Sequence, residues 1–168
     1  MKWPSFYWIT AIFYALFIFF LSIFALPLGE RLGGHPFYEW ALFAACFLFA
    51  ATSFFLLWKT RKKITLPKWL AFAATAGIYV FFYFHLKFPI EEIHLINFAI
   101  LCFLLKKAME NSGSQRHIYW KAVSLAVLAG CFDEFVQKFV PGRFADWHDV
   151  GLCLIGALLG AGLARLIL

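Results

Sequence analysis

GCFDEFVQKFVPGRFADWHDVGLCLIGALLG, residues 130–160, holds two apolar, helix-like runs joined by a polar connection. Between residues 133 and 149 the chain gathers Asp133, Glu134, Lys138, Arg143, Asp146 and Asp149, together with Gln137 and His148. Pro141-Gly142 marks a turn in the middle. The chain around this stretch is 64% hydrophobic and 14% charged, with a mean hydropathy of +0.81. Water-soluble domains run nearer half apolar, so the composition predicts an integral membrane protein. The 168 residues accommodate several spans of about 20 residues each.

Working outward, six apolar segments can be marked: 6–28, 38–58, 69–88, 93–109, 119–136 and 150–168. None alternates as a strand does, and a spanning helix satisfies its own backbone in lipid. The expected fold is therefore all-α, a polytopic transmembrane helix bundle of about six spans. It forms one domain over 1–168, with three N-terminal helices (1–88) and a motif-bearing half (89–168). The first segment exceeds the roughly 7–15 apolar residues of a signal peptide and reads as a retained helix. The seven tryptophans lie near segment ends, as interfacial anchors do. Cys46, Cys102, Cys131 and Cys153 all sit in apolar runs without metal-site spacing, so they read as small buried hydrophobes.

The net charge of +6 is explained by orientation rather than by nucleic acid. Lys2, the loop KTRKKITLPK (59–68), the loop after the fourth segment with Lys106, Lys107, Arg116 and Lys121, and Arg165 carry 11 of the 15 Lys and Arg to one side. Excess positive charge marks the cytoplasmic side, which puts both termini and the two basic loops there. The acids follow the opposite map. Glu30, Glu39, Glu91, Glu92, Asp133, Glu134, Asp146 and Asp149 fall outside, with only Glu110 inside.

Two segments bring polar chemistry to that outer face. In PIEEIHLINFAILCFLL (89–105), Glu91 and His94 are three apart at a helix start, and Asn97 lies a turn deeper. The acids suit a helix N-terminus, but an imidazole and an amide inside an apolar run point to a cavity or a partner helix. In the opening stretch, Glu134 and Gln137 end one helix, and Asp146 and Asp149 open the next. Capping accounts for Asp146, not for Glu134, Arg143 and Asp149 together. Gly156 and Gly160 continue the Asp149–Cys153 stripe and permit close helix packing. A salt-bridge network stapling the last three helices is the structural alternative.

The two blocks, EEIHLINFAILCFLL and residues 130–160, resemble the VanZ-like family of bacterial membrane proteins. The resemblance rests on Asp133-Glu134, Gln137, Pro141-Gly142-Arg143, Asp149, Gly156 and Gly160 in that order, and covers about residues 89–164. Two positions depart from the pattern: Asn97 stands where family members often have Glu, and Cys153 where they usually have Asn. The resemblance implies a multi-pass protein of the bacterial cytoplasmic (inner) membrane, linked to low-level resistance to the glycopeptide teicoplanin.

Three functions are weighed. One is an enzyme acting on an outer-leaflet lipid headgroup or cell-wall lipid precursor, a hydrolase or transferase, with His94, Glu134 and Asp149 as catalytic candidates. Glu92, Asn97, Gln137, Arg143 and Asp146 would contact the ligand, and Arg143 would clamp a phosphate or carboxylate. Asp146 and Asp149 could hold a divalent metal with His94 or His148, although no spacing here is diagnostic. The second is a non-catalytic protein that binds an envelope ligand or the antibiotic. The third, a transporter, ranks last because the inner halves of the segments are nearly all apolar. No cofactor is identified, and membrane lipids are the expected surroundings.

Overall fold

The computed structural model describes residues 4–32, 65–85, 89–112, 117–141, 143 and 145–167. Among these there are five helices and no strand: α1 (Pro4–Leu32), α2 (Leu66–His85), α3 (Pro89–Asn111), α4 (Ile118–Gln137) and α5 (Trp147–Ile167). The expected second segment, 38–58, lies outside the described residues. Pro4 and Pro89 open their helices, where a missing N–H loses no intrahelical bond. α4 ends as the amides of Phe139 and Val140 fold back onto the carbonyls of Val136 and Gln137, just before Pro141.

Two helices are long and apolar enough to cross a membrane, over Phe6–Phe24 and Trp147–Arg165. α3 contains Glu91, Lys106, Lys107 and Glu110, and α4 contains Asp133 and Glu134, so neither is an uninterrupted apolar rod. The described helices therefore do not by themselves amount to six spans. Their outer surfaces are nonetheless apolar. Phe13, Phe17, Phe20, Phe132, Phe135 and Leu158 are all exposed, large apolar side chains facing outward on three of the helices.

α3 is the central helix, packed against α5, α1 and α4. It runs parallel to α5. A Cβ on Gly156 would strike the Leu95 carbonyl oxygen, and one on Gly160 the Ala99 carbonyl oxygen, so equal four-residue steps on both helices meet. This is the close approach that small residues allow in place of larger side chains. Phe98, Leu101, Cys102, Leu105, Ala122, Ala126 and Ala157 fill the common core. α1 turns Ala11, Ile18 and Ser22 inward, a spacing that repeats on one helical face.

α1 runs antiparallel to α3. The Trp8 indole N–H donates to Ser112 Oγ at 2.9 Å near one end, and Tyr14 OH donates to Asn97 Oδ1 at 2.9 Å further along. Ser22 Oγ reaches Asp133 Oδ1 at 2.5 Å on α4. The polar residues of the bundle thus collect at two opposite ends, one around Lys106–Ser112 and one around His94, Asp133 and Asp149.

Two expectations are corrected here. Lys106 and Lys107 belong to the last turns of α3 rather than to a loop, and Lys106 is 1% exposed. The helical period carries residue 106 onto the core stripe of Phe98 and Cys102. Its Nζ pairs with Glu110 at 2.5 Å and lies 5.1 Å from the Tyr119 ring centroid, so this half of the bundle is not purely apolar. Cys131 is exposed, because it shares the outward face of α4 with Leu128 and Phe135. Trp8 is half-buried and hydrogen-bonded near the start of α1, whereas Trp120 and Trp147 are exposed. Substituting Glu110→Gln should leave the Lys106 ammonium with only a neutral acceptor. The expected loss is about 1–2 kcal/mol, read as a lower unfolding temperature in detergent.

Candidate functional site

The polar end is built from five elements, α1 among them through Ser22. α3 supplies His94 from its second turn, α4 supplies Asp133, Glu134 and Gln137 from its last turns, and α5 supplies Asp149 from its first. The connection between α4 and α5 supplies Arg143 and Asp146. Because α3 and α5 are parallel, both present their N-terminal ends here, which favours negative charge nearby.

Gln137 is the organising side chain. It is 1% exposed, and its amide nitrogen donates to Asp133 Oδ2 at 3.1 Å and to Glu134 Oε1 at 2.8 Å. Its carbonyl oxygen accepts from Arg143 Nη1 at 3.3 Å. The spacings of four and three residues that put Asp133 and Glu134 beside Gln137 are those of helical neighbours. The remaining carboxylate oxygens are also engaged. Ser22 bonds Asp133 Oδ1, and the Asp146 backbone N–H donates to Glu134 Oε2 at 3.0 Å.

Asp146 has the capping role expected of it. Its Oδ1 accepts from the His148 amide at 2.9 Å, and its carbonyl accepts from the amides of Asp149 and Val150. That frees Asp149 for the site. Asp149 Oδ2 stands 3.9 Å from His94 Nε2, with its side chain 14% exposed.

His94 lies at the centre, 6% exposed. Its Nε2 is 3.9 Å from Glu134 Oε1 and its Nδ1 is 3.9 Å from Asp133 Oδ2. Cys153 Sγ lies 3.9 Å from Nδ1. The ring lies nearly parallel to Phe98, with centroids 6.2 Å apart.

His94, Glu134, Gln137, Arg143 and Asp149 are thus brought together. Asn97 lies a turn deeper, where it accepts the Tyr14 hydrogen bond. Glu92 lies on α3, and its side chain is outside the described residues. Glu91 groups with His148 and Asp149 at the rim. Asp133 and Cys153, marked in the sequence as half of the acid pair and as part of the Asp149 stripe, also belong to the cluster, and Ser22 is the member the sequence reading did not include. A lone serine in FFLSIF (19–24) was the available signal for Ser22, since a polar group at membrane depth commonly faces a partner helix.

A family model described as VanZ/LLP1 matches residues 7–168. The chain belongs to the VanZ/LLP1 family. No curated protein and no solved structure matches the chain. The VanZ/LLP1 match extends beyond the two motif blocks and takes in α1, the helix that contributes Ser22 to the cluster. The first helix is thus part of the family's unit, as its contacts with α3 and α4 require. At the two positions where this VanZ/LLP1 protein departs from the expected pattern, Cys153 faces His94 and Asn97 faces Tyr14.

Proposed function

We propose that this VanZ/LLP1 protein is a six-span, single-domain protein of the bacterial cytoplasmic membrane with both termini in the cytoplasm. Its polar cluster faces outward and engages the headgroup of an outer-leaflet lipid or a cell-wall lipid precursor, so lowering susceptibility to teicoplanin. The observation that carries this reading is the grading of the cluster. Half-buried Arg143 and Asp149 stand at its rim, and fully buried His94, Asp133 and Glu134 lie behind them. A guanidinium at the rim suits a phosphate or carboxylate. An imidazole beside carboxyl groups suits proton transfer to or from a bound ligand. Arg143 clamps the headgroup, His94 or Glu134 exchanges the proton, and Gln137 and Asp146 hold the clamp in register.

A second reading is a binding protein without turnover. It is favoured by the engagement of Asp133 and Glu134 with Ser22, Gln137 and the Asp146 amide. Purified protein incubated with envelope lipids separates the two, since product formation favours the enzyme and stable binding without product the binder.

Expression in a susceptible Gram-positive host should raise the inhibitory concentration of teicoplanin, and Arg143→Lys and Asp149→Asn should each abolish the rise. An unchanged inhibitory concentration with wild-type protein present in the membrane would sink the proposal. Cysteine placed at position 149 should react with an impermeant reagent from outside the cell, and reaction only from inside reverses the topology.

A further inference from the structure

We propose that His94, Asp133 and Glu134 form a binding site for a divalent transition cation of the zinc or manganese class, between α3 and α4. The inference rests on the same cluster as the headgroup reading but requires no turnover. One potential ligand atom from each of the three residues lies within 4.8 Å of the other two, and all three side chains are buried.

The second observation is the state of His94. It is 6% exposed, and among the described residues its Nε2 has no hydrogen-bond partner. The facing oxygens, Glu134 Oε1 and Asp149 Oδ2, are each 3.9 Å away, beyond the roughly 3.2 Å reach of an N–H···O bond. Nδ1 stands at the same 3.9 Å from Asp133 Oδ2. A buried imidazole aimed at carboxylates yet held off from them leaves the separation an intervening ion needs. Tetrahedral ligands about 2.1 Å from zinc lie about 3.4 Å apart, so the three ligand atoms, within 4.8 Å of one another, close on an ion by drawing together around one ring nitrogen, with a fourth position left for solvent or a ligand.

The surroundings prepare the same oxygens. Ser22 holds Asp133 by Oδ1 and the Asp146 amide holds Glu134 by Oε2, while Oδ2 and Oε1 face the ring, accept from the Gln137 amide and each keep a second lone pair for an ion. Outer-shell partners of this kind orient carboxylate ligands. Charge balance points the same way, since among the described residues Asp133, Glu134 and Asp149 lie around one guanidinium, that of Arg143, and unbalanced buried charge is costly. One imidazole nitrogen with carboxylate oxygens suits zinc or manganese better than copper(I), which favours sulfur, or calcium, which favours all-oxygen shells. The rim group of Glu91, His148 and Asp149 contains an exposed histidine and serves as the control.

The test uses the full chain, purified in detergent, stripped with EDTA and titrated with ZnCl2 or MnCl2. Bound metal is measured by mass spectrometry and unfolding temperature in parallel. The expected result is about one ion per chain with a raised unfolding temperature. His94→Asn and Asp133→Asn should each weaken binding by about tenfold or more, and His148→Ala should leave it intact. If either variant fails to run as a monodisperse species, cobalt(II) absorption of the wild-type protein decides, through the presence or absence of nitrogen-and-oxygen ligand bands. No zinc or manganese bound by wild type, no cobalt bands, or binding kept in His94→Asn and lost in His148→Ala overturns the site. Metal occupancy without any teicoplanin phenotype would remove the headgroup function and leave the metal site standing.

Discussion

Replacing Gly160 with leucine should abolish the packing of α3 against α5. Even a Cβ at this position would lie inside the contact distance of the Ala99 carbonyl, and the same holds for Gly156 against Leu95. The obstacle is backbone rather than a flexible side-chain end, so no rotamer change relieves it, and the two helices must separate along their length. A loss of about 4 kcal/mol or more is expected, the range of severe core disruption. In detergent, Gly160→Leu should give little monodisperse protein, and Gly156→Leu should behave alike. Gly162→Ala is the control, since nothing lies within 4 Å of its Cβ position. Helix propensity should make that change neutral or stabilising by about 0.5–1 kcal/mol. Wild-type yield and unfolding temperature in Gly160→Leu would show that the parallel contact is not the spine of the bundle.

Gln137→Leu should be the most damaging single change at the polar end. It removes the donor shared by Asp133 and Glu134 and the acceptor of Arg143 in one step, while leaving the charged groups in place. Buried polar groups stripped of partners cost about 1–3 kcal/mol each, so a loss of about 2–4 kcal/mol is expected. For a chain of this size that is about 5–15 °C in unfolding temperature. Adding Asp133→Asn should recover part of the loss, because one buried carboxylate is then neutral. A shift under about 2 °C with no recovery would mean that the cluster is hydrated and its hydrogen bonds contribute little.

Much of this site was legible along the chain because its members are polar residues in apolar runs. His94 stands alone among Ile, Leu and Phe, and Glu134 and Gln137 lie three apart at the end of one helix. Their mutual contact is local and follows from helical spacing. Asp149 could be separated from the capping role because Asp146, three residues earlier, is better placed for it. The contribution of α1 was not legible in the same way. Ser22 and Asp133 are 111 residues apart, and Tyr14 and Asn97 are 83 apart, so each bond depends on which helices become neighbours. Lys106 shows the reverse error, since a cation in a basic stretch reads as loop until the face it occupies is known.

By itself the sequence determined an all-helical chain, the polar and basic ends of its segments, and most of the residues at the polar end. These follow from hydropathy, charge and a 3.6-residue period, all of which act over one or two turns. Only the tertiary structure decided that α3 and α5 run in parallel and that α1 caps the cluster with Ser22. It also decided that His94 stands 3.9 Å from three carboxylates rather than hydrogen-bonded to one. The physical reason is that helix neighbours are chosen by surface fit. Gly156 and Gly160 admit the α3 backbone, and that approach sets how far Asp149 on α5 stands from the His94 ring on α3.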